Sequence, residues 1–145
     1  MRSGSLLPFA CCLFAIACSR EPPQTAGQGA HQASVEIVTQ SGVSWNGAAL
    51  PAYPTTAPEI TVARVTVPPH SVLPLHKHPI INAGYLISGA LTVVAESGEE
   101  RKLRAGEGVI ELVNAWHSGR NDGDEPVVIV VVYAGSPGMP LSVKK

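Results

Sequence analysis

The sequence predicts an all-β domain whose antiparallel strands close into a sandwich or a barrel. Short runs of β-branched residues, separated by glycine and proline turns, recur from residue 35 onward, and no stretch repeats with the period of a helix. The chain has 14 glycines and 13 prolines, while charged residues make up only 14%. This combination of apolar residues and turn formers is typical of a compact β domain rather than of helices or a disordered chain.

The individual strands follow from residue type in chain order. The segment 35–39 is expected to be a short strand, and Asn46-Gly47 is a turn signal. The run 59–67 is rich in β-branched residues and ends at two prolines, as expected for a strand. Residues 126–134 are apolar at consecutive positions, so both faces of this strand are expected to be covered. The remaining segments of the β domain are 85–96, 101–108 and 109–113, with a hairpin tip at Ser97-Gly98.

The first twenty residues have the composition of an export signal. Arg2 precedes an apolar run from residue 6 to residue 17, which ends in small residues. The segment 14–18, Phe-Ala-Ile-Ala-Cys, resembles a bacterial lipoprotein box, with Ala15 where that family usually has leucine. The resemblance implies cleavage before Cys18 and attachment of lipid to this cysteine. The alternative is ordinary secretion with cleavage nearby.

The chain is therefore expected to comprise a signal peptide (1–17), a lipidated cysteine with a flexible linker (18–34) and one domain (35–145). The linker has no aromatic or long aliphatic side chain, so it is expected to be solvated. The expected location is the cell envelope, at the bacterial outer membrane or in the periplasm, with membrane contact through the N-terminal lipid only.

The net charge and the cysteine content indicate which partners and which metal ligands the domain can have. The formal net charge is −1 and lysine and arginine are not clustered, so nucleic-acid binding is not expected. All three cysteines lie in the leader, at positions 11, 12 and 18. The domain therefore has no disulfide and no thiolate to offer a metal, and any metal ligands must be nitrogen or oxygen atoms.

Two histidines are spaced for a metal site. His76 and His78 alternate in a strand-like stretch, and alternate side chains of a strand point to the same face. A third histidine, His117, follows the segment 109–113. Three imidazoles on one site suit a divalent transition metal.

The arrangement resembles the cupin family of small, jelly-roll-like antiparallel β-barrels over roughly residues 35–140. The first cupin motif, a glycine-led His-x-His followed by Glu and Gly, matches His76, His78 and Gly89. Asn82 stands where the motif has Glu, and the leading glycine is absent. The second motif, which runs from a glycine through a Pro-x-Gly turn to a histidine and an asparagine, matches Gly106 or Gly108, His117 and Asn121, with Leu112-Val113-Asn114 at the turn.

The resemblance implies a divalent metal inside the barrel, held by His76, His78 and His117, with Asn82 either a fourth ligand or a hydrogen-bonding residue of the turn after His78. Without a glutamate the site has a charge near +2, which favours anionic, chelating substrates. Fe(II) is the favoured ion because some dioxygenase branches of the family have three histidines, and imidazole also accepts Mn, Ni, Cu and Zn. The second ring nitrogens are expected to be oriented by backbone carbonyls or by Asn121.

Four further residues are candidates for the site. Glu111 interrupts an apolar strand and is a candidate general acid or base, the alternative being a salt bridge to Arg120 or Arg64. Arg64 either binds a substrate carboxylate or pairs structurally. Tyr85 and Trp116 either line the substrate pocket or contribute packing.

Two functions are consistent with these residues. The first is a dioxygenase-like or related metalloenzyme that acts on a small oxygenated or anionic molecule. The alternative is a non-catalytic module that binds a small ligand or a metal, supported by the missing glutamate and the scarcity of candidate acids. The apolar run 127–132 indicates a homodimer.

Overall fold

The computed structural model describes residues 32–145. The expected signal peptide, Cys18 and most of the linker lie outside the described residues. The described part contains ten β-strands: β1 (Glu59–Val67), β2 (Ser71–Val72), β3 (His76–Lys77), β4 (Ile81–Ser88), β5 (Ala90–Ala95), β6 (Glu100–Arg104), β7 (Gly108–Ile110), β8 (His117–Asn121), β9 (Val127–Gly135) and β10 (Val143–Lys144). Residues 32–145 include no helix of the length and apolarity that a membrane crossing requires.

The strands form two antiparallel sheets. One has the order β1-β9-β4-β7, and the other has the order β10-β3-β8-β5-β6 with β2 beside β8. Side chains from the facing sides of the two sheets form one apolar core, which includes Val67, Leu86, Leu103, Val127 and Ile129. The prediction of an all-β, antiparallel domain is confirmed.

The strand β1 has the bounds expected from its β-branched residues, and β9 lies within one residue of its expected position. Within one chain, only one face of β9 is covered. Its inward residues are buried, whereas Val132 on the outward face is 40% exposed. Neighbouring strands flank β9 at both edges, so its apolar residues fill the centre of a sheet with only one buried face.

The expected strand 85–96 is two strands that belong to different sheets. Gly89 separates β4 from β5 with a φ of +80°, a conformation that favours glycine. A Cβ atom at this position would lie 2.8 Å from Cγ2 of Val127, so the crossing is also too close for a side chain. The residues on both sides of Gly89 are equally typical of a strand, so the sequence does not indicate that one strand ends here and another begins.

The N-terminal part of the domain differs from its prediction at one point. The segment 35–39 is not a strand, and Ile37 is 71% exposed. The Asn46-Gly47 turn is confirmed, because Val43 and Ala49 form an antiparallel bridge around it. The Asn46 side chain stabilises the turn by accepting a hydrogen bond from the backbone N–H of Ala48.

Candidate metal centre

Two neighbouring strands bring the three histidines together. His76 on β3 pairs directly with His117 on β8, and His78 follows β3 on the same face as His76. A bridge to Val113 and a hydrogen bond from the Asn114 N–H to the His78 carbonyl fix the backbone at His78. Asn114 has a φ of +57°, so asparagine here adopts the left-handed conformation of the turn that precedes His117.

The histidine rings converge on one point inside the barrel. Each of His76, His78 and His117 offers a ring nitrogen, and these three atoms lie within 4.8 Å of one another. The ring centroids are 4.6–5.0 Å apart. Only 6% of His78 and 2% of His117 is exposed, whereas His76 is half-buried.

Backbone carbonyls orient all three rings. The Nδ1–H groups donate to the carbonyl oxygens of Pro74, Leu141 and Ala115, at 2.8 Å from His76, 2.7 Å from His78 and 2.9 Å from His117. A carbonyl oxygen only accepts, so the ring proton is on Nδ1 and the lone pair on Nε2 is available for a metal. Burial lowers the pKa of His78, and it lowers the pKa of His117 to about 4, so both rings are neutral at pH 7.

The C-terminal segment thus positions a histidine, which gives a first prediction. Deletion of residues 140–145 removes both the Leu141 carbonyl and β10, which pairs with β3. We expect the affinity for a divalent ion to fall by roughly 10- to 100-fold, the usual effect of losing an orienting partner. Titration with Zn²⁺ against a competing chelator measures it. Lys145→Ala, which leaves Leu141 in place, is the matched control, and equal affinity of the deletion variant and the control would contradict the prediction.

The opposite sheet contributes a row of polar side chains. Asn82 on β4 has Tyr133 of β9 on one side, and the backbone N–H of Glu111 donates to the Asn82 carbonyl on the other. All three residues are buried. Burial raises the pKa of Glu111 to about 7, and burial together with the Glu111 carboxylate raises the pKa of Tyr133.

Glu111 lies at the histidine cluster rather than at the rim of the barrel. Its Oε2 atom is 3.7 Å from Nε2 of His117, too long for a hydrogen bond. Neither atom has a hydrogen-bond partner among the described residues. The alternative of a salt bridge to Arg120 or Arg64 is wrong, because Arg120 pairs with Glu100 and Asp122 and Arg64 lies on the outward face of β1.

A cavity of about 80 Å³ adjoins the cluster. Its polar groups come from the three histidines, Glu111, Tyr133 and Ser118. Its remaining wall is apolar and includes Val65, Leu73, Val93, Ile129 and Val131. A cavity of this size accepts a molecule of a few non-hydrogen atoms, with one polar end at the imidazoles.

Three residues predicted to contact substrate do not line this cavity. Arg64 and Tyr85 point outward because they alternate with the inward residues of their strands. Trp116 packs under Lys77, whose Nζ atom lies 5.0 Å from the ring centroid. Asn82 is buried but is not part of the cavity wall, and its Nδ2 donates to the Ile80 carbonyl at 3.4 Å, within the turn after His78.

Asn121 has a structural role instead of the histidine-orienting role considered from the sequence. Its Nδ2 donates to the carbonyls of Val67, Pro68 and Glu125, and its Oδ1 accepts from the N–H of Gly123. It therefore holds the turn after β8 against the end of β1. The sequence did not reveal the part played by Tyr133, although this residue alternates in phase with Ile129 and Val131.

The two antiparallel sheets and the three-histidine cluster together are typical of a metal-binding β-barrel. Residues 63–133 match the family model described as a cupin domain. The fold that the sequence predicted, a cupin-like, jelly-roll-like antiparallel β-barrel, is therefore confirmed. A comparison with curated proteins found no match.

Solved structures with a similar fold include three bacterial enzymes. The chain is 22% identical to the DMSP lyase DddQ from Ruegeria pomeroyi DSS-3, covering 59% of this chain and 43% of that one, with a TM-score of 0.53. It is 24% identical to Lactobacillus farciminis oxalate decarboxylase, whose structure was solved as a formate complex. The match covers 59% of this chain and 26% of that one, with a TM-score of 0.50. It is 32% identical to Bacillus subtilis oxalate decarboxylase, a protein with Mn(II) centres. That match covers 59% of this chain and 23% of the decarboxylase, with a TM-score of 0.48. The chain thus matches less than half the length of each of these proteins.

Proposed function

We propose that the protein holds a divalent ion with His76, His78 and His117 and acts there on a small oxygenated or anionic molecule. The observation that carries the proposal is the convergence of three imidazoles whose Nδ1 atoms are all engaged by backbone carbonyls. This leaves three lone pairs directed at one point, a donor set that suits Fe(II) and equally Mn, Ni, Cu or Zn.

The cavity limits what the site can accept. Its volume of about 80 Å³ favours small substrates over large aromatic ones, and its largely apolar wall favours a molecule with one polar end. A divalent ion supplies Lewis-acid activation of a chelating carboxylate or enolate, and Fe(II) also supplies chemistry with O₂. The hydroxyl of Tyr133 and the carboxyl of Glu111 lie in the same wall, where they can orient or exchange a proton with the polar end of the substrate.

A non-catalytic binding module is the second candidate. Apart from the histidines and Tyr133, Glu111 is the single titratable side chain in the cavity wall of the described domain. A site with so few acids and bases is also suited to holding a small anion without converting it.

The experiment uses the full chain purified without a histidine tag. We expect elemental analysis to find about one divalent ion per chain. With a panel of small carboxylates and enols under air, a ligand at 100 times its dissociation constant stabilises the fold by about 2.7 kcal/mol. Mass spectrometry of the mixture separates the two functions: a new product supports the enzyme, and stabilisation without a product supports the binding module. Absence of a bound ion after loading with Fe(II), Mn(II) and Zn(II) would contradict the metal-dependent enzyme, and absence of both an ion and ligand-induced stabilisation would contradict the binding module as well.

We also propose that the protein is exported, lipidated at Cys18 and paired as a homodimer. The leader composition supports export. The outward face of the sheet β1-β9-β4-β7 supports pairing, since Ile60, Val62 and Val132 are 40–66% exposed there. The intact mass of the mature protein tests lipidation, and light scattering during size-exclusion chromatography tests the dimer.

A further inference from the structure

The strand register places Glu111 opposite Asn82, the position where the cupin motif has Glu. Ala83 pairs with Ile110 and Gly84 pairs with Val109, so the next pair along β4 and the end of β7 is Asn82 with Glu111. The hydrogen bond from the Glu111 N–H to the Asn82 carbonyl continues this ladder at 3.2 Å. Directly opposite residues project from the same face with Cβ atoms about 5 Å apart.

The Glu111 carboxylate lies beside His117, just outside the group of three histidine ring nitrogens that lie within 4.8 Å of one another. A tetrahedral ion with bonds near 2.1 Å separates its ligand atoms by roughly 3.4 Å. The distance from Glu111 Oε2 to His117 Nε2 is 3.7 Å, close to this value and longer than a hydrogen bond. Both atoms are buried without a partner among the described residues, as expected where a cation fits between them.

Asn82 itself is poorly placed for the same task. Its Nδ2 donates to the Ile80 carbonyl at 3.4 Å, and its Oδ1 is also buried without a partner among the described residues, but the residue does not contribute to the cavity wall. Glu111 does contribute to that wall, together with all three histidines. Of the two residues in this cross-strand pair, Glu111 is therefore the one that reaches the centre.

We propose that Glu111 is the fourth protein ligand of the ion held by His76, His78 and His117. In this chain the acidic ligand is then at position 111, directly after β7, and not at the neighbouring position 82, where the cupin motif has Glu. The inference rests on the proposed metal site. It gives a site charge near +1 instead of the +2 expected for three imidazoles and an amide, and Glu111 in this role is a ligand and not a free acid or base.

Three variants of the full chain test the exchange: Glu111→Gln, Asn82→Glu with Glu111→Gln, and Glu100→Gln as a surface control that lies in an exposed pair with Arg120. Mn(II) affinity is measured by titration, and the EPR spectrum of bound Mn(II) reports a change of ligand. We expect Glu111→Gln to weaken binding at least about 10-fold and the control to match the wild type. The double variant is expected to recover most of the affinity, because glutamate at position 82 is one methylene longer than asparagine and extends further towards the histidines.

The outcomes separate the two proposals. A wild-type chain that binds no divalent ion overturns the proposed metal site. A wild-type chain that binds Mn(II), with equal affinity and an unchanged EPR spectrum in Glu111→Gln, overturns only the ligand role of Glu111. Weakening without recovery in the double variant overturns the exchange between the two positions. If Glu111→Gln does not fold, Glu111→Asp provides the same comparison, because it retains the charge and withdraws the oxygen atoms.

Discussion

Replacing His117 with alanine is expected to abolish stoichiometric binding of a divalent ion, with a loss of affinity of at least about 100-fold. Loss of an orienting partner alone costs 10- to 100-fold, and this substitution removes a direct ligand. His117 is 2% exposed and is the one ligand that β8 supplies to the cluster. Neither His76 nor His78 can move into its place, because each ring is held by its own carbonyl.

The measurement is the metal content of the full chain after loading and gel filtration. Circular dichroism of the metal-free variant confirms that the strands are retained. His70→Ala is the matched control, since His70 is an exposed histidine that bonds to Asp124 at the surface. The metal site would have to be placed elsewhere if His117→Ala retained one ion per chain, or if His70→Ala lost it as completely.

The predictable part of the site consists of residues whose role follows from local periodicity or from a motif. His76 and His78 share a face because a strand alternates, whatever the rest of the fold does. His117 came from the second cupin motif, and its position beside His76 depends on the pairing of β3 with β8. The sequence pattern thus indicated the three members of the cluster without showing which strands meet.

The rest of the site depends on contacts between distant segments, which no local pattern encodes. The Leu141 carbonyl reaches His78 across 63 residues of sequence. Glu111 interrupts an apolar run, a pattern that fits a rim residue as well as a buried one, and only the register with Asn82 shows that it faces inward. The outward positions of Arg64 and Tyr85 likewise depend on the phase of each strand relative to the core.

In the fold as well, local features were predictable from the sequence and features that depend on distant contacts were not. The run 59–67 was predicted with its observed bounds because β-branched residues fill it and prolines end it. The change of sheet at Gly89 was missed because the residues on both sides are equally suited to a strand. Gly89 has a positive φ, and Val127, from another part of the chain, leaves no room for a side chain at this position.

The metal-free protein is expected to lose stability relative to Glu111→Gln as the pH rises. Burial raises the pKa of Glu111 from 4.5 to about 7, so between these values the folded chain retains a proton that the unfolded chain has released. The stabilising contribution is present below pH 4.5 and is lost as the pH rises through 7. Glutamine does not ionise, so it avoids the cost of a buried carboxylate. At pH 8 we expect the variant to be more stable by on the order of 2–3 kcal/mol, and at pH 4.5 the two should be equal.

Two buried histidines, His78 and His117, have lowered pKa values and act in the opposite direction in both proteins. Burial lowers the pKa of His117 to about 4, so the stability of both proteins falls as the pH drops from 6.5 towards 4. Urea unfolding of chelator-treated protein at pH 4.5, 6, 7 and 8 gives the difference directly, with Glu99→Gln, an exposed carboxylate, as the control. Once a divalent ion is added, the wild type should become more stable than Glu111→Gln, because the carboxylate that destabilises the empty site binds the ion. A difference that stays constant from pH 4.5 to 8 would show that Glu111 ionises as freely in the folded chain as in the unfolded one.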